Sequence, residues 1–171
     1  MLHLSLPQAM ANAGTVMASA ELPAAPDAVI AALVTSEVER WWGSPETHCM
    51  TGWNADLRVG GRWSVTVRTA RGRRLPASGK FLEIETPRRI VQTMRHDWDH
   101  PALGRHETTL ACLLEPIASG TRLTICHGGF AGFPNAAAGH AGSWTRVLGW
   151  LQRYLEQFQE EGGRLGSAGS P

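Results

Sequence analysis

The chain has 171 residues, the size of a single domain, and a chain of this length can bury a core without metals or disulfides. Only 18% of the residues are charged and the net charge is +1, which argues against a polybasic arm and against a nucleic acid as partner. The unusual feature is the aromatic composition, because seven Trp stand beside four Phe and one Tyr. Each Trp brings a large apolar area and one N–H donor.

The cysteines and the first residues favour a cytoplasmic location. Cys49, Cys112 and Cys126 are odd in number and lack zinc-type spacing, which predicts neither a disulfide framework nor a structural metal. Residues 1–14 lack the basic and long apolar regions of a signal peptide, and no stretch approaches the ~20 apolar residues of a membrane span. Lys80 is the only lysine beside many arginines, a bias that suggests a GC-rich bacterial gene.

The first predicted elements are a strand and two short helices. Residues Thr15 to Leu22 alternate between apolar and more polar side chains, as in a half-buried strand. Pro26 and Asp27 are typical of the first turn of a helix. Ser36 and Glu39 have the spacing of a capping box and predict a short second helix.

The middle of the chain has the pattern of an antiparallel meander. Period-two alternation and turn residues predict strands over 62–68, 79–84, 90–95, 107–115 and 121–127. The turn from Pro116 to Gly120 predicts that the last two of these strands pair with each other. Arg68, Arg71, Arg73 and Arg74 surround the first hairpin turn, where they either contact phosphate or keep a sheet edge in solution.

The last predicted element is a long amphipathic helix. Apolar residues recur at steps of three and four from Trp144 to Phe158. Residues Gly162 to Pro171 are mostly small and predict a flexible tail. We therefore expect an α+β domain over residues 14–160, preceded by an N-terminal extension (1–13) and followed by a tail (161–171).

Several segments of the chain, taken in order, resemble the START-like (SRPBCC, helix-grip) superfamily. Within it, the chain is similar to the domain of the activator of heat-shock-protein-90 ATPase. The similarity covers about residues 14–160. The segments that carry it are Ala25-Pro26-Asp27-Ala28-Val29, Trp41-Trp42-Gly43, Asp56 to Trp63, Gly79, Leu82-Glu83-Ile84 before Pro87, Arg89-Ile90-Val91, Glu115-Pro116, Gly120 to Thr124, His127 with Gly129-Phe130, and Trp144 at the start of the final helix.

The resemblance implies a helix-grip fold, in which a curved antiparallel sheet of six to seven strands wraps around the long C-terminal helix and two short helices follow strand 1. It also implies a largely apolar cavity between sheet and helix, which in relatives holds lipophilic molecules. Where relatives often have an aromatic, a threonine and an aromatic, this chain has Gln92-Thr93-Met94, so the wall is expected to be less aromatic there. The chaperone activator also carries a separate N-terminal domain, whereas only about a dozen residues precede the first predicted strand here, so chaperone activation is not carried over.

Strand alternation combined with the resemblance predicts the residues that line this cavity. Leu123, Ile125 and His127 share one strand face, so Cys126 points away from the cavity and a Cys112–Cys126 disulfide is not expected. The predicted ligand-binding residues are Trp63, Val65, Val67, Ile90, Gln92, Met94, Leu110, Cys112, Leu114, Leu123, Ile125, His127, Trp144, Leu148 and Leu151.

His127 is the principal polar candidate of that set. It either contacts a ligand carbonyl or hydroxyl, acts as a general base, or is satisfied by the protein itself at the end of its strand. Gln92 and Cys112 either contact the ligand or belong to an ordinary core, and apolar surroundings are expected to raise the pKa of the Cys112 thiol and make it inert.

The segment His96-Asp97-Trp98-Asp99-His100, with His106 and Glu107 nearby, contains metal-ligand residue types but lies in a predicted loop. We therefore predict no metal, and Trp98 is either a lid over the cavity or packs at the sheet edge. The chain has no G-x-S-x-G elbow, P-loop or G-x-G-x-x-G motif, so no cofactor is expected.

The sequence thus favours a protein that binds a small apolar or amphipathic molecule, with Trp residues forming the wall and rim of the site. One alternative is a small-molecule enzyme of the cyclase, dehydratase or hydrolase kind that uses His127. Another is a stress-related protein-interaction module, which forms a homodimer or binds a protein partner on the outer sheet face.

Overall fold

The computed structural model describes residues 4–44 and 46–166. Its eight strands form one antiparallel sheet in the order β1-β2-β8-β7-β6-β5-β4-β3, with α1 and α2 after β2 and a long C-terminal α3. The fold is therefore α+β, as predicted. The elements are β1 (Gln8–Asn12), β2 (Thr15–Leu22), α1 (Pro26–Val34), α2 (Val38–Trp41), β3 (His48–Ala55), β4 (Arg62–Thr69), β5 (Arg74–Glu85), β6 (Arg89–His96), β7 (Thr108–Ile117), β8 (Gly120–Gly128) and α3 (Pro134–Gly166).

The expected count of six to seven strands is wrong, because β1 and β3 form the two edges of an eight-stranded sheet. Strand β1 lies within the segment predicted as an N-terminal extension, and its mostly exposed side chains show no alternation of burial. In β3 the register shifts between Thr51 and Asn54, and Gly52 has φ 67°. An irregular edge strand of this kind lacks the period-two pattern on which sequence-based strand prediction depends.

The two short helices follow β2 as predicted, but the expected capping box is absent. Helix α1 begins at Pro26, while the N-cap of α2 is Glu37 without a side-chain cap. The Thr35 hydroxyl, rather than that of Ser36, accepts a hydrogen bond from the Glu37 N–H at 3.2 Å. The Glu39 carboxylate turns to β3 instead, where it accepts from the Trp53 N–H at 2.6 Å.

Helix α3 begins at Pro134, well before Trp144, where the final helix was expected to start. Its first turns are rich in Ala and Gly and so carry no broad apolar stripe, although a proline at the first position is typical of a helix start. The helix continues through Gly166, past the predicted domain end at residue 160, and residues 167–171 of the predicted tail lie outside the described part of the chain.

The inward face of the sheet is the one predicted. Leu123, Ile125 and His127 on β8 are each 0% exposed, and on β7 the alternate residues Leu110 and Cys112 are buried. Cys112 is paired with Ile125, and Cys126 with Ala111. All three cysteines are free, as expected from the opposite directions of Cys112 and Cys126.

Candidate functional site

A cavity of about 460 Å³ lies between the strands β3 to β8, the helices α1 and α2, and the first half of α3. This volume falls in the range of small-molecule sites. Among the described residues, none of the lining side chains is an Asp, Glu, Lys or Arg. The lining is Leu33, Val34, Val38, Trp41, Trp42, Met50, Trp53, Trp63, Val65, Val67, Leu75, Ala77, Gln92, Met94, His96, Trp98, His100, Ala102, Leu110, Cys112, His127, Asn135, Ala136, Gly139, His140, Ser143, Trp144 and Val147.

The structure separates the predicted ligand-binding residues into two groups. Those that line the cavity are Trp63, Val65, Val67, Gln92, Met94, Leu110, Cys112, His127 and Trp144. The others belong to the buried core and do not border the cavity: Ile90, Leu114, Leu123, Ile125, Leu148 and Leu151. On α3 the lining ends at Val147, and Leu148 and Leu151 beyond it belong to the buried core.

Tryptophan dominates this lining, because six of the seven Trp in the chain border the cavity. Two of them stack on each other, with the Trp53 and Trp63 ring centroids 5.7 Å apart. Trp150 is the exception and packs edge-on against Trp42, with the two ring centroids 5.5 Å apart. The six are Trp41, Trp42, Trp53, Trp63, Trp98 and Trp144.

Backbone carbonyls hold two of these indoles in place. Trp41 Nε1 donates to the Ala32 carbonyl at 2.8 Å, and Trp63 Nε1 donates to the Thr93 carbonyl at 3.2 Å. Trp63 passes over Gly79, where any Cβ would lie 2.6 Å from the indole nitrogen. The missing side chain at Gly79 therefore creates the space in which the indole lies.

His127 takes part in a chain of hydrogen bonds that fixes its tautomer. Trp144 Nε1 donates to His127 Nδ1 at 3.1 Å, so Nδ1 carries no proton. The neutral ring therefore has its proton on Nε2, which donates to the Thr108 hydroxyl at 2.8 Å, and that hydroxyl donates to the Met94 carbonyl at 3.2 Å. Both ring nitrogens thus have hydrogen-bond partners within the protein. This is the alternative in which His127 is satisfied by the protein itself and needs no ligand.

The electrostatic surroundings also keep His127 uncharged. Burial, followed by repulsion from His140 and His96, lowers the pKa of His127 from 6.5 to about 3. A proton on Nδ1 would in addition oppose the Trp144 N–H. At neutral pH the ring is a fixed, neutral part of the wall, with no free nitrogen for general-base chemistry.

Three further histidines form a cluster on the cavity wall that was not predicted from the sequence. His96 at the end of β6, His100 in the following loop and His140 on α3 all border the cavity. Ring centroids lie 4.6 Å apart for His96–His100 and 5.9 Å apart for both His96–His140 and His100–His140. His140 had no signal because the early start of α3 is not predicted by an apolar stripe, whereas His96 and His100 were considered only as metal-ligand types in a predicted loop.

The segment from His96 to His100 is not arranged as a metal site. The Asp97 carboxylate forms an ion pair with Arg95 at 3.0 Å, and the Asp99 carboxylate forms one with Arg105 at 3.1 Å. Across the described ranges 4–44 and 46–166, no group of three or more His, Cys, Asp or Glu has the geometry to hold a metal ion.

The other side chains that the sequence singled out have defined surroundings. Trp98 borders the cavity, and the guanidinium of Arg73 lies 5.1 Å from its ring centroid. Gln92 also lines the wall. Burial raises the pKa of the Cys112 thiol to about 12, as expected for an unreactive core cysteine.

Comparison with known proteins identifies relatives of the whole domain. The model of the family described as Activator of Hsp90 ATPase homolog 1-like protein (AHSA1) matches residues 23–156. A solved protein from Chromobacterium violaceum is 25% identical with a TM-score of 0.72, and the match covers 84% of this chain and 97% of that one. An AHSA1 protein from Silicibacter pomeroyi is also 25% identical, with a TM-score of 0.68 and coverage of 84% and 98%.

A Rhodobacter sphaeroides structure with a TM-score of 0.75 and 20% identity, covering 89% of this chain and 99% of that one, supports the fold alone. No curated protein matches the chain significantly. Within the described residues, no helix has the length and apolar character needed to span a membrane.

Proposed function

The chain belongs to the family of Activator of Hsp90 ATPase homolog 1-like proteins, and we propose that it binds a small, mostly apolar ligand in the cavity between sheet and helices. The observation that carries this proposal is the lining, in which six Trp and many aliphatic side chains surround about 460 Å³ without a formal charge. Burial of an apolar ligand there is worth about 25 cal/mol for each Å² of apolar surface removed from water.

The two side chains considered for catalysis, His127 and Cys112, are not available for it. Enzymes need an acid, base or nucleophile within reach of the substrate. The candidate base His127 has both nitrogens in hydrogen bonds to Trp144 and Thr108, and the Cys112 thiol has a pKa raised to about 12. With neither group available, we propose a binding role for the domain and assign no reaction to it.

The first test is to identify what the purified protein holds and where it holds it. Mass spectrometry of a denatured extract detects a ligand that is carried through purification. Titration with lipid, aromatic and polyketide panels, followed through the indole N–H signals in NMR spectra, then locates binding. We expect the signals of the six cavity Trp to shift more than that of Trp150, which lies outside the lining. Equal shifts for all seven, or no shift with any panel, would contradict the proposal.

A variant that fills the cavity tests the proposal, and a neighbouring variant outside the lining serves as its control. Gly139 borders the cavity and is exposed, and a Cβ built there meets no heavy atom within 4 Å. Gly139→Trp is expected to fill the cavity and weaken binding at least tenfold. Gly142, one helical turn further on, is equally open but does not border the cavity, so Gly142→Trp should leave the affinity unchanged.

A further inference from the structure

One end of the mostly apolar cavity is rich in histidine, because His96, His100 and His140 lie there side by side. Each belongs to a different part of the fold, namely β6, the loop after β6, and α3. The His96 Nε2 atom is buried and has no hydrogen-bond partner among the described residues. All three rings are half-buried, and a buried ring nitrogen without a hydrogen-bond partner is costly for a protein to maintain if no ligand or water uses it.

Backbone contacts fix the protonation of two of these rings. His140 Nδ1 lies 2.8 Å from the Ala136 carbonyl and must donate to it, so in the neutral ring Nε2 is left as an acceptor. His100 Nδ1 accepts from the Ala102 N–H at 3.2 Å, so its Nε2 carries the proton and is a donor. Neither Nε2 has a hydrogen-bond partner in the part of the chain that the structure describes.

One donor and one acceptor therefore lie on rings whose centroids are 5.9 Å apart. A group that lies between two such rings can form one hydrogen bond with each Nε2 atom. The group that fits must donate to His140 Nε2 and accept from His100 Nε2–H at the same time. A hydroxyl does both, whereas a carboxylate only accepts and a hydrocarbon does neither.

Charge also favours a neutral group. Burial is the main cause that lowers the pKa of His96 to about 4, and it lowers those of His100 and His140 as well. All three rings are thus uncharged at neutral pH, and no Lys or Arg of the described chain borders the cavity to balance an anion. A buried carboxylate without a counter-charge is strongly disfavoured.

We propose that the histidine end of the cavity binds a neutral hydroxyl group of the ligand, bridging His100 and His140, and discriminates against carboxylates. This inference rests on the proposed function, since it specifies the polar head of a ligand whose apolar body lies among the Trp and aliphatic residues. The ligand class is therefore an apolar alcohol or phenol rather than a fatty or aromatic acid.

The test compares three probes of nearly equal size: 2-naphthol, 2-methylnaphthalene and 2-naphthoate at pH 7.5, with affinity measured from the indole N–H shifts. Because only its hydroxyl can form both hydrogen bonds, 2-naphthol should bind about tenfold or more tightly than either of the others. Equal affinity for the naphthol and the methyl compound, as expected if water alone occupies the histidine end, would overturn the inference and leave the proposed function standing. Tighter binding of the naphthoate would overturn it too, whereas failure of all three probes would count against the proposed function itself.

Variants then assign the preference to its residues. His140→Phe and His100→Phe keep an aromatic ring, and each should reduce the preference for the naphthol over the methyl compound to about threefold or less. His48→Phe, on an exposed side chain outside the lining, should keep the full preference. The readout is the ratio of two affinities for one protein, so a general loss of stability does not imitate the effect. If a variant fails to fold, the three-probe comparison on the unaltered chain still tests the proposal.

Discussion

At the scale of single residues, Thr108 holds the position that connects His127 to the backbone. Its hydroxyl accepts from His127 Nε2 and donates to the Met94 carbonyl, and the side chain is 2% exposed. Thr108→Val keeps the shape but leaves the His127 N–H as a buried donor without a partner. We expect a loss of about 1–3 kcal/mol in the free energy of unfolding, measured by urea titration.

Thr109 provides the matched control for that substitution. It is the next residue on β7 and is exposed, so Thr109→Val should change stability by less than about 0.5 kcal/mol. Equal effects of the two substitutions would show that the His127 hydrogen bond contributes nothing to the fold.

The buried histidines also make stability depend on pH. His127 has a pKa of about 3 in the folded chain against 6.5 for the free side chain, so only the unfolded chain takes up a proton at this site between those values. The stabilisation is complete above pH 6.5 and is lost as the pH falls toward 3. This site alone should reduce the free energy of unfolding by about 1.4 kcal/mol per pH unit in that window, and His96 acts in the same direction.

Urea titrations between pH 7.5 and 4.5 measure this dependence. His127→Phe should reduce the slope by about one proton, whereas His48→Phe should retain it. A slope that is unchanged in His127→Phe would contradict the assignment of a neutral buried ring.

Residue directions were predictable from the sequence, and residue partners were not. The alternation of β8 placed His127 inward, because strand geometry fixes the face of a side chain. Its hydrogen-bond partners, Thr108 and Trp144, are 19 and 17 positions away in the sequence. Strand register and the placement of α3 bring them together, and local sequence patterns encode neither.

At the scale of elements, the close packing of Trp63 on the neighbouring strands β4, β5 and β6 depends on one glycine, Gly79. Trp63 is paired with Gly79 across the sheet and reaches over it to the Thr93 carbonyl. A Cβ at Gly79 would lie 1.8 Å from that carbonyl oxygen and 2.6 Å from the indole nitrogen. Gly79→Ala therefore displaces either Trp63 or β6.

We expect Gly79→Ala to destabilise the chain by about 2–4 kcal/mol and to shift the Trp63 indole N–H signal, since overpacking and a broken hydrogen bond combine. Ser78→Ala, at the adjacent and half-buried position, should be close to neutral. A thermal unfolding midpoint for Gly79→Ala equal to that of the unaltered chain would refute this account.

Element prediction succeeded where one face is buried and failed at the edges. Strand β2 has the bounds that its alternation predicted, Thr15 to Leu22. Strands β1 and β3 each pair on one side only, and their exposed or irregular side chains gave no signal. The start of α3 was not predicted for a related reason: its Ala- and Gly-rich first turns form a helix but have no apolar stripe.

At the scale of the whole molecule, the cavity and β1 lie toward opposite edges of the sheet. Strand β1 pairs with β2, and the preceding segment is tied to α3 through Gln152, whose side chain donates to the Ser5 and Glu21 carbonyls. Deletion of residues 1–12 should cost about 1–2 kcal/mol through the lost strand and hydrogen bonds. The six cavity indole signals should keep their positions in the NMR spectrum, and a general change in those signals would show that β1 also shapes the site.

The family and the inward face of the sheet could be predicted from the sequence, but the position of the cavity could not. Leu148 and Leu151 have the same helical pattern as Trp144, yet they fill the core while Trp144 borders the open space. Whether a buried residue faces another side chain or a cavity depends on how the summed volumes fill the fold, which no periodicity records.

The absence of formal charge from the described cavity lining has a consequence for the way affinity responds to ionic strength. Coulomb attraction between a ligand and fixed charges weakens as the Debye length shortens from about 10 Å at 0.1 M salt to about 3 Å at 1 M. A site that relies on apolar burial and neutral hydrogen bonds has no such attraction to lose. Binding of 2-naphthol should therefore be as tight at 1 M as at 0.1 M sodium chloride, and a steep loss of affinity with salt would reveal a charged contact.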